Sequence, residues 1–298
     1  MIDVAVVGSL HLDIMVAAQR LPQRDETLIG SSWHYKCGGK GGNQAVASSR
    51  FGARTAFGGQ TGADDFGERL RANLVAAGVD ISCLGTDPSR GSGMSVAISE
   101  AGGEYGAVVV SGANLTIDPQ AIATRWEGLW GAKVLLLQNE ITEEASLAAA
   151  RAARARGALV ILNAAPARPM SEEFLRLVDV LIVNRVEAAM LSGEDDPARA
   201  VAAMHLPSRD VVLTRGGEGL TLVTRSGKRL DLPALPVRMI SSHGAGDCFC
   251  GSLAARLAAG DDLISACRFA SVAAGLFVST PESQHHLLDA ATVLTAIA

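Results

Sequence analysis

Cysteine is scarce and unmatched in this chain. Cys37, Cys83, Cys248, Cys250 and Cys267 form an odd set with no C-x-x-C pair, which argues against a disulfide framework or a zinc site and leaves buried, reduced thiols. Positive charge is also in short supply. The 26 Lys+Arg stand against 31 Asp+Glu, for a net charge of −5, so the general attraction that underlies nucleic-acid binding or docking on acidic membranes is missing. No apolar run approaches the roughly 18–20 residues of a membrane span, since Val108–Val110 is cut by Ser111 and Gly112. Met1 leads straight into the strand-like Ile2–Val7 without a basic n-region or cleavage site, and the expectation is a cytoplasmic protein.

What the chain has is an alternation of apolar runs with helical periods. Val4–Val7, Val134–Leu137, Leu159–Leu162, Val180–Val183 and Val211–Leu213 read as strands buried on both faces, as in a parallel sheet covered by helices. Between them, Asp64–Ala77 places Phe66, Leu70 and Leu74 on one helix face and stops at Gly78. Thr142–Arg156 opens with Thr142, Glu143 and Glu144 as a capping-box candidate and stops at Gly157. The expected fold is an α/β, doubly wound, mostly parallel sheet in a single domain spanning 1–298. Two stretches break the rhythm, about 13–36 and 92–110; the alternation Met94–Ser99 predicts half-exposed strands and hence a small β-sheet lid.

Polar residues follow the strands: Gln138-Asn139-Glu140, Asn163, Asn184 and Thr214. In an open parallel sheet these carboxyl ends share one edge, where ligands bind. Three glycine-rich segments add to that edge. Gly38-Gly39-Lys40-Gly41-Gly42-Asn43-Gln44 fits neither a Walker loop nor a dinucleotide fingerprint, and reads as a hinge or as backbone that must approach a polar ligand closely. Thr214-Arg215-Gly216-Gly217-Glu218-Gly219 reads as a turn between strands. Ser241-Ser242-His243-Gly244-Ala245-Gly246-Asp247 runs into a helix, and reads either as a glycine-rich turn with Asp247 as an N-cap or as an anion hole, made by free N–H groups and the helix dipole, beside a carboxylate.

Taken in order, Gly8–Asp13, Gly38–Ala45, Ser111–Asn114, Leu162–Ala167, the Asn184-Arg185-Val186-Glu187 box and Gly244–Asp247 resemble the ribokinase-like sugar and nucleoside kinases, the phosphofructokinase-B superfamily, over nearly the whole chain. The resemblance implies a kinase using ATP and Mg²⁺. Asp247 would take the acceptor hydroxyl's proton, with the backbone of Gly244, Ala245, Gly246 and Asp247 holding the transferring phosphoryl group. His11, Asp13, Gly39, Lys40, Asn43 and Glu140 would grip the sugar. Asn184, Thr214, Gly216, Gly217, Gly219 and Ser271 would line the nucleotide, and Asn184 with Glu187 would organise Mg²⁺ through waters. The lid would close over the substrate and offers a surface for a homodimer.

Three positions depart from the family pattern. His11 stands where Asn is common, which changes the hydroxyl pattern read at that corner. Ser241 replaces an Asp that helps bind a monovalent cation, with His243 as its neighbour at that site, and Glu282 stands where Gly is expected. The acceptor implied is ribose or a related pentose, phosphorylated on its primary hydroxyl. A nucleoside kinase and a non-catalytic sugar-binding protein are the alternatives, and K⁺ is a further candidate ligand. The joint presence of Asn184, Glu187 and Gly244–Asp247 favours a working enzyme.

Overall fold

A computed structural model describes residues 1–100 and 105–297; the tip of the second lid excursion, 101–104, lies outside them. The first half runs β1 (Val4–Val7), β2 (His11–Ala18), β3 (Ser32–Gly38), α1 (Lys40–Arg50), β4 (Thr55–Gly62), α2 (Asp65–Ala76), β5 (Asp80–Asp87), β6 (Met94–Glu100), β7 (Tyr105–Val110), α3 (Pro119–Arg125), β8 (Val134–Gln138) and α4 (Glu143–Arg154). The second runs β9 (Leu159–Asn163), α5 (Glu172–Arg176), β10 (Val180–Asn184), α6 (Arg185–Ser192), α7 (Pro197–Met204), β11 (Asp210–Thr214), β12 (Leu220–Val223), β13 (Arg229–Leu232), α8 (Ala245–Ala259), α9 (Leu263–Ser279) and α10 (Ala290–Ile297).

Nine strands form one sheet in the order β13-β12-β11-β10-β9-β8-β1-β4-β5, parallel throughout except for the β11-β12-β13 edge. Alternate residues of each central strand enter different cores. Val4, Val6, Leu136, Ile161, Ile182 and Val212 pack under α1, α8 and α9. Ala5, Val7, Leu135, Leu137, Val160 and Leu181 pack on the other face with Trp126, Trp130 and Phe174. With both faces covered, the strands are apolar except at their ends, which is why they read as unbroken runs. No helix among the described residues is long and apolar enough to cross a membrane.

The lid is a separate four-stranded sheet, β3-β2-β6-β7, built from the two irregular stretches. It begins earlier than the sequence suggests, since β2 already contains His11 and Leu12. Its root is pinned by Asn114, whose amide imitates a strand neighbour: Oδ1 accepts from the Leu10 N–H at 2.9 Å and Nδ2 donates to the Leu10 carbonyl at 2.8 Å. Tyr35 leans on Phe66 of α2, while Trp33 stays exposed beside it. Lys36 of β3 reaches Glu282 in the C-terminal region at 2.9 Å, tying lid to body.

Two local expectations change. Thr142 caps α4 by accepting from the Ala145 N–H, but residue N3 is that alanine, so no carboxylate returns the bond and there is no capping box there. The reciprocal pair occurs at α6, between Asn184 and Glu187. The glycine-lysine segment is also not an open hinge: it is a place of close approach. Gly39 adopts φ +82°, and a Cβ there would lie 2.7 Å from the His11 nitrogen and 2.8 Å from the Leu10 Cα. Gly39→Ala is therefore expected to destabilise the protein by about 2–5 kcal/mol, combining left-handed strain with overpacking. Gly52 has φ +98° but open space around it, so Gly52→Ala isolates the conformational part. Denaturant midpoints measure both, and equal losses in the two variants would refute the steric component.

Candidate active site

The strand ends do converge. Gln138 and Asn163 are register partners at the ends of β8 and β9, as are Asn184 and Thr214 at the ends of β10 and β11. Above this edge α8 points its first turn inward, opened by Gly244 in the left-handed conformation at φ +85°. Asp247, in that first turn, is buried.

Its carboxylate is held by two amides from α1: Asn43 Nδ2 donates to Oδ2 at 2.9 Å and Gln44 Nε2 to Oδ1 at 3.0 Å. Gln44 is the hub of the arrangement. It is fully buried, donates also to Asn163 Oδ1 at 3.1 Å, and accepts at Oε1 from Gln138 Nε2 at 2.8 Å. Burial pushes the Asp247 carboxyl above the ordinary carboxylate range, against the opposing pull of Lys40 and the two amide donors. The helix N-terminus alone would keep this group a weak base; its dry surroundings make it a stronger one.

The anion hole differs from the sequence expectation in one member. The Ala245 N–H donates to the Ser242 carbonyl at 3.2 Å, so it is occupied. Among the described residues the N–H groups of Gly246 and Asp247 have no acceptor and remain available at the positive end of α8.

Lys40 stands between the compartments. Burial lowers the affinity of its ammonium for a proton, but the carboxylates of Asp247, Glu140 and Glu187 outweigh that, and its pKa rises. It lines the same cavity as Asn184, Glu187 and Asp247. Glu140 anchors the opposite wall: its Oε2 accepts from Ser9 Oγ and from the Lys40 backbone N–H at 2.8 Å, and lies 3.8 Å from His11 Nδ1. His11 is buried and its Nε2 has no partner among the described residues. Asp13 accepts from Ser95 Oγ, which braces it between β2 and β6.

Asp247 borders a cavity of about 340 Å³ containing Lys40, Asn184 and Glu187, which shares Thr214, Gly216, Gly246 and Phe249 with a second of about 340 Å³. The second is lined by Gly217, Gly219 and Ser271 together with an apolar wall of Leu235, Val237 and Met239 that sequence reading missed. Both volumes are of ligand size. Gly219 has φ +86°, and a Cβ there would lie 2.0 Å from the Leu232 carbonyl oxygen. Glu187 closes the capping box, accepting from the Asn184 N–H at 2.8 Å and from Asn184 Nδ2 at 2.9 Å, and burial raises its pKa.

Ser241 and His243 are exposed and bonded to each other, the His243 N–H donating to Ser241 Oγ at 3.3 Å. His285 turns its Nε2 to the carbonyls of Phe277 and Thr280, so the His285-His286 pair makes no metal site. No group of three potential metal-ligating side chains exists among the described residues. The five cysteines are unpaired, and burial pushes the Cys248 thiol up to about 12.

Residues 1–290 match the model of the pfkB family of carbohydrate kinases. The chain belongs to that family. This pfkB carbohydrate kinase, an ATP-dependent enzyme of the ribokinase-like fold, is 34% identical to the ribokinase of Bacillus subtilis over 277 residues, covering 93% of this chain and 92% of that one. It is 29% identical to a deoxyribokinase of Salmonella typhi over 259 residues, 85% of this chain and 84% of that one. Arabidopsis thaliana ribokinase complexed with ribose and ATP matches this kinase with a TM-score of 0.91 at 27% identity, over 99% and 98% of the two chains.

Proposed function

We propose that this sugar kinase transfers the γ-phosphoryl group of ATP to the primary hydroxyl of ribose or a closely related pentose. The observation that carries the reading is the position of Asp247, a buried carboxylate at the first turn of α8, facing Lys40 across a cavity that runs into a nucleotide-sized one.

The sugar lies between β2 and α1, with Asp13 suited to a vicinal diol and with His11, Asn43, Glu140 and the Gly39 backbone around it. Asp247 accepts the proton of the attacking hydroxyl. The N–H groups of Gly246 and Asp247 and the Lys40 ammonium hold charge on the phosphoryl group as it transfers, which suits a loose transition state governed by positioning and neutralisation. One carboxylate, Glu187, already engaged in a capping box, fits a hydrated Mg²⁺ held through water rather than a protein cage; that ion supplies further neutralisation of the phosphates. Lid closure excludes water from the transfer. At the proposed monovalent site, Lys36 already gives Glu282 a cation at 2.9 Å, so K⁺ dependence is a separate arm of the test.

The test is ADP release with ATP and Mg²⁺ over a panel of ribose, 2-deoxyribose, other pentoses, hexoses and nucleosides, each with and without K⁺. Ribose or 2-deoxyribose is expected to give the highest kcat/KM. Turnover on nucleosides alone would replace the pentose reading with the nucleoside one, and binding without turnover on every acceptor would favour a sugar-binding protein.

A further inference from the structure

The largest cavity described, about 700 Å³, shares no lining residue with those around Asp247. It lies among α5, α6, α7 and the segment Arg168–Met170, against Leu181 of β10, and its walls are largely apolar, including Met190, Leu191 and Met204. Three arginines line it, and two of them, Arg168 and Arg209, are badly served. Arg209 is 4% exposed; its Nη2 donates to the Leu175 carbonyl at 2.6 Å and its Nη1 to the Met204 carbonyl at 3.5 Å, while Nε has no partner among the described residues. Arg168 donates one bond, Nη1 to the Ile141 carbonyl at 2.6 Å, and its Nε and Nη2 are buried without partners among the described residues.

Neither guanidinium pairs with a carboxylate among the described residues, whereas Arg176, at the same cavity, is bound to Glu172 at 2.6 Å. Carbonyl oxygens satisfy N–H groups but do not neutralise a charge, and a buried cation without a counter-ion is unfavourable. For Arg209 burial is the one influence on its protonation, and it acts against the charge. Arg168 feels the carboxylates of Glu143 and Glu144 without a direct ion pair to either, and burial still lowers its pKa. Two guanidiniums with no paired carboxylate on an apolar cavity are complementary to a molecule with one anionic end, and the planar guanidinium is the side chain best shaped for a planar or tetrahedral oxyanion.

We propose that this cavity is a binding site for a small amphipathic oxyanion, a carboxylate or phosphate head on an apolar body, with Arg168 and Arg209 as its counter-ions. The experiment is calorimetric titration of the full chain with octyl phosphate and with octanoate, both below their aggregation concentrations, in the presence of saturating ADP and ribose so that the kinase cleft is filled. Binding at one site is expected, and the tighter of the two probes assigns the head group. Octanol and inorganic phosphate, each lacking one half of the ligand, are expected to bind at least tenfold more weakly. Arg209→Met and Arg168→Gln are each expected to weaken octyl phosphate at least tenfold. Thermal melting of Arg209→Met should show no loss of stability, because an uncompensated buried charge has gone. Absence of binding by both probes, or unchanged affinity in both variants, would overturn the proposal. A fall in melting temperature with affinity intact would overturn it too, reducing Arg209 to a tie between two backbone carbonyls. Arg168 is only half-buried, so its variant decides the matter if Arg209→Met does not fold.

Discussion

Replacing Asp247 by Asn is expected to lower kcat by about 10²–10⁴-fold with little change in the KM for the sugar, the range that a positioned proton acceptor contributes. The size follows from what the substitution preserves. Asn has the same shape, α8 keeps its first turn, and Lys40 and the backbone N–H groups at 246 and 247, which in the proposed mechanism hold the phosphoryl group, are unchanged. Only the capacity to take a proton is removed. Stability should move little, because two effects oppose each other. Burial of the carboxylate's charge is relieved, while one of the two amide donors, Asn43 or Gln44, loses an acceptor. Steady-state kinetics and thermal melting check both parts; a kcat within tenfold of the parent protein would take the base's role away from Asp247.

Lys40→Met is expected to reduce kcat/KM by about 10²–10³-fold, as for loss of one charge-stabilising group aimed at the transferring phosphoryl. It should also displace the pH profile. The base acts when deprotonated, so activity rises with pH through its pKa in the free enzyme. Burial holds that pKa up and Lys40 pulls it down. Without the ammonium, the pKa climbs and the acid limb of kcat/KM moves to higher pH. Glu187 also feels Lys40 as a lowering influence, so its change has the same sign. Lys40→Arg should return the limb towards its original position while recovering rate incompletely, since a planar fork does not replace a compact point charge. An acid limb unmoved by Lys40→Met would show that it does not report Asp247.

Sequence pattern revealed the parts of this fold whose chemistry is repetitive. β1 and the central runs of β8 to β11 are unbroken apolar stretches because both faces are covered, and the lid showed itself through the alternation in Met94–Ser99. β4 escaped notice because Thr55–Gly62 carries three glycines, which lack strand propensity. Their reason is room: a Cβ on Gly58 would lie 2.8 Å from the Leu129 side chain, and one on Gly59 2.9 Å from the Gly8 carbonyl. The site was legible to a similar degree. Asp247, Asn43, Glu187 and Thr214 announced themselves by lying at a helix start, in a glycine motif or at a strand end. Gln44 sat in the same glycine motif and was passed over, because its importance arises from the packing of α1 on α8, which no spacing records. The apolar wall at Leu235, Val237 and Met239 belongs to a coil between β13 and α8, where there is no period to read.

The amides behind Asp247 form a chain with a direction. An ionised carboxylate accepts and cannot donate, so Gln44 must present its NH₂ to Asp247; its carbonyl oxygen is then turned towards Gln138, which must in turn offer its own NH₂. The far end of the chain is Gln138 Oε1, buried without a partner and lying where a Cβ on Gly8 would be, 1.9 Å away. Each amide is thus oriented by the next, and the whole sequence is written from the charge outward. Protonating Asp247 relaxes the rule at its source, because a carboxylic acid can donate, but Gln44 Nε2 also donates to Asn163 Oδ1 at 3.1 Å, so the glutamines reverse only if Asn163 reverses with them. The ionised carboxyl of Asp247 is in this way matched by the orientation of side chains on α1, β8 and β9, and the missing side chain of Gly8 is the space in which that chain ends.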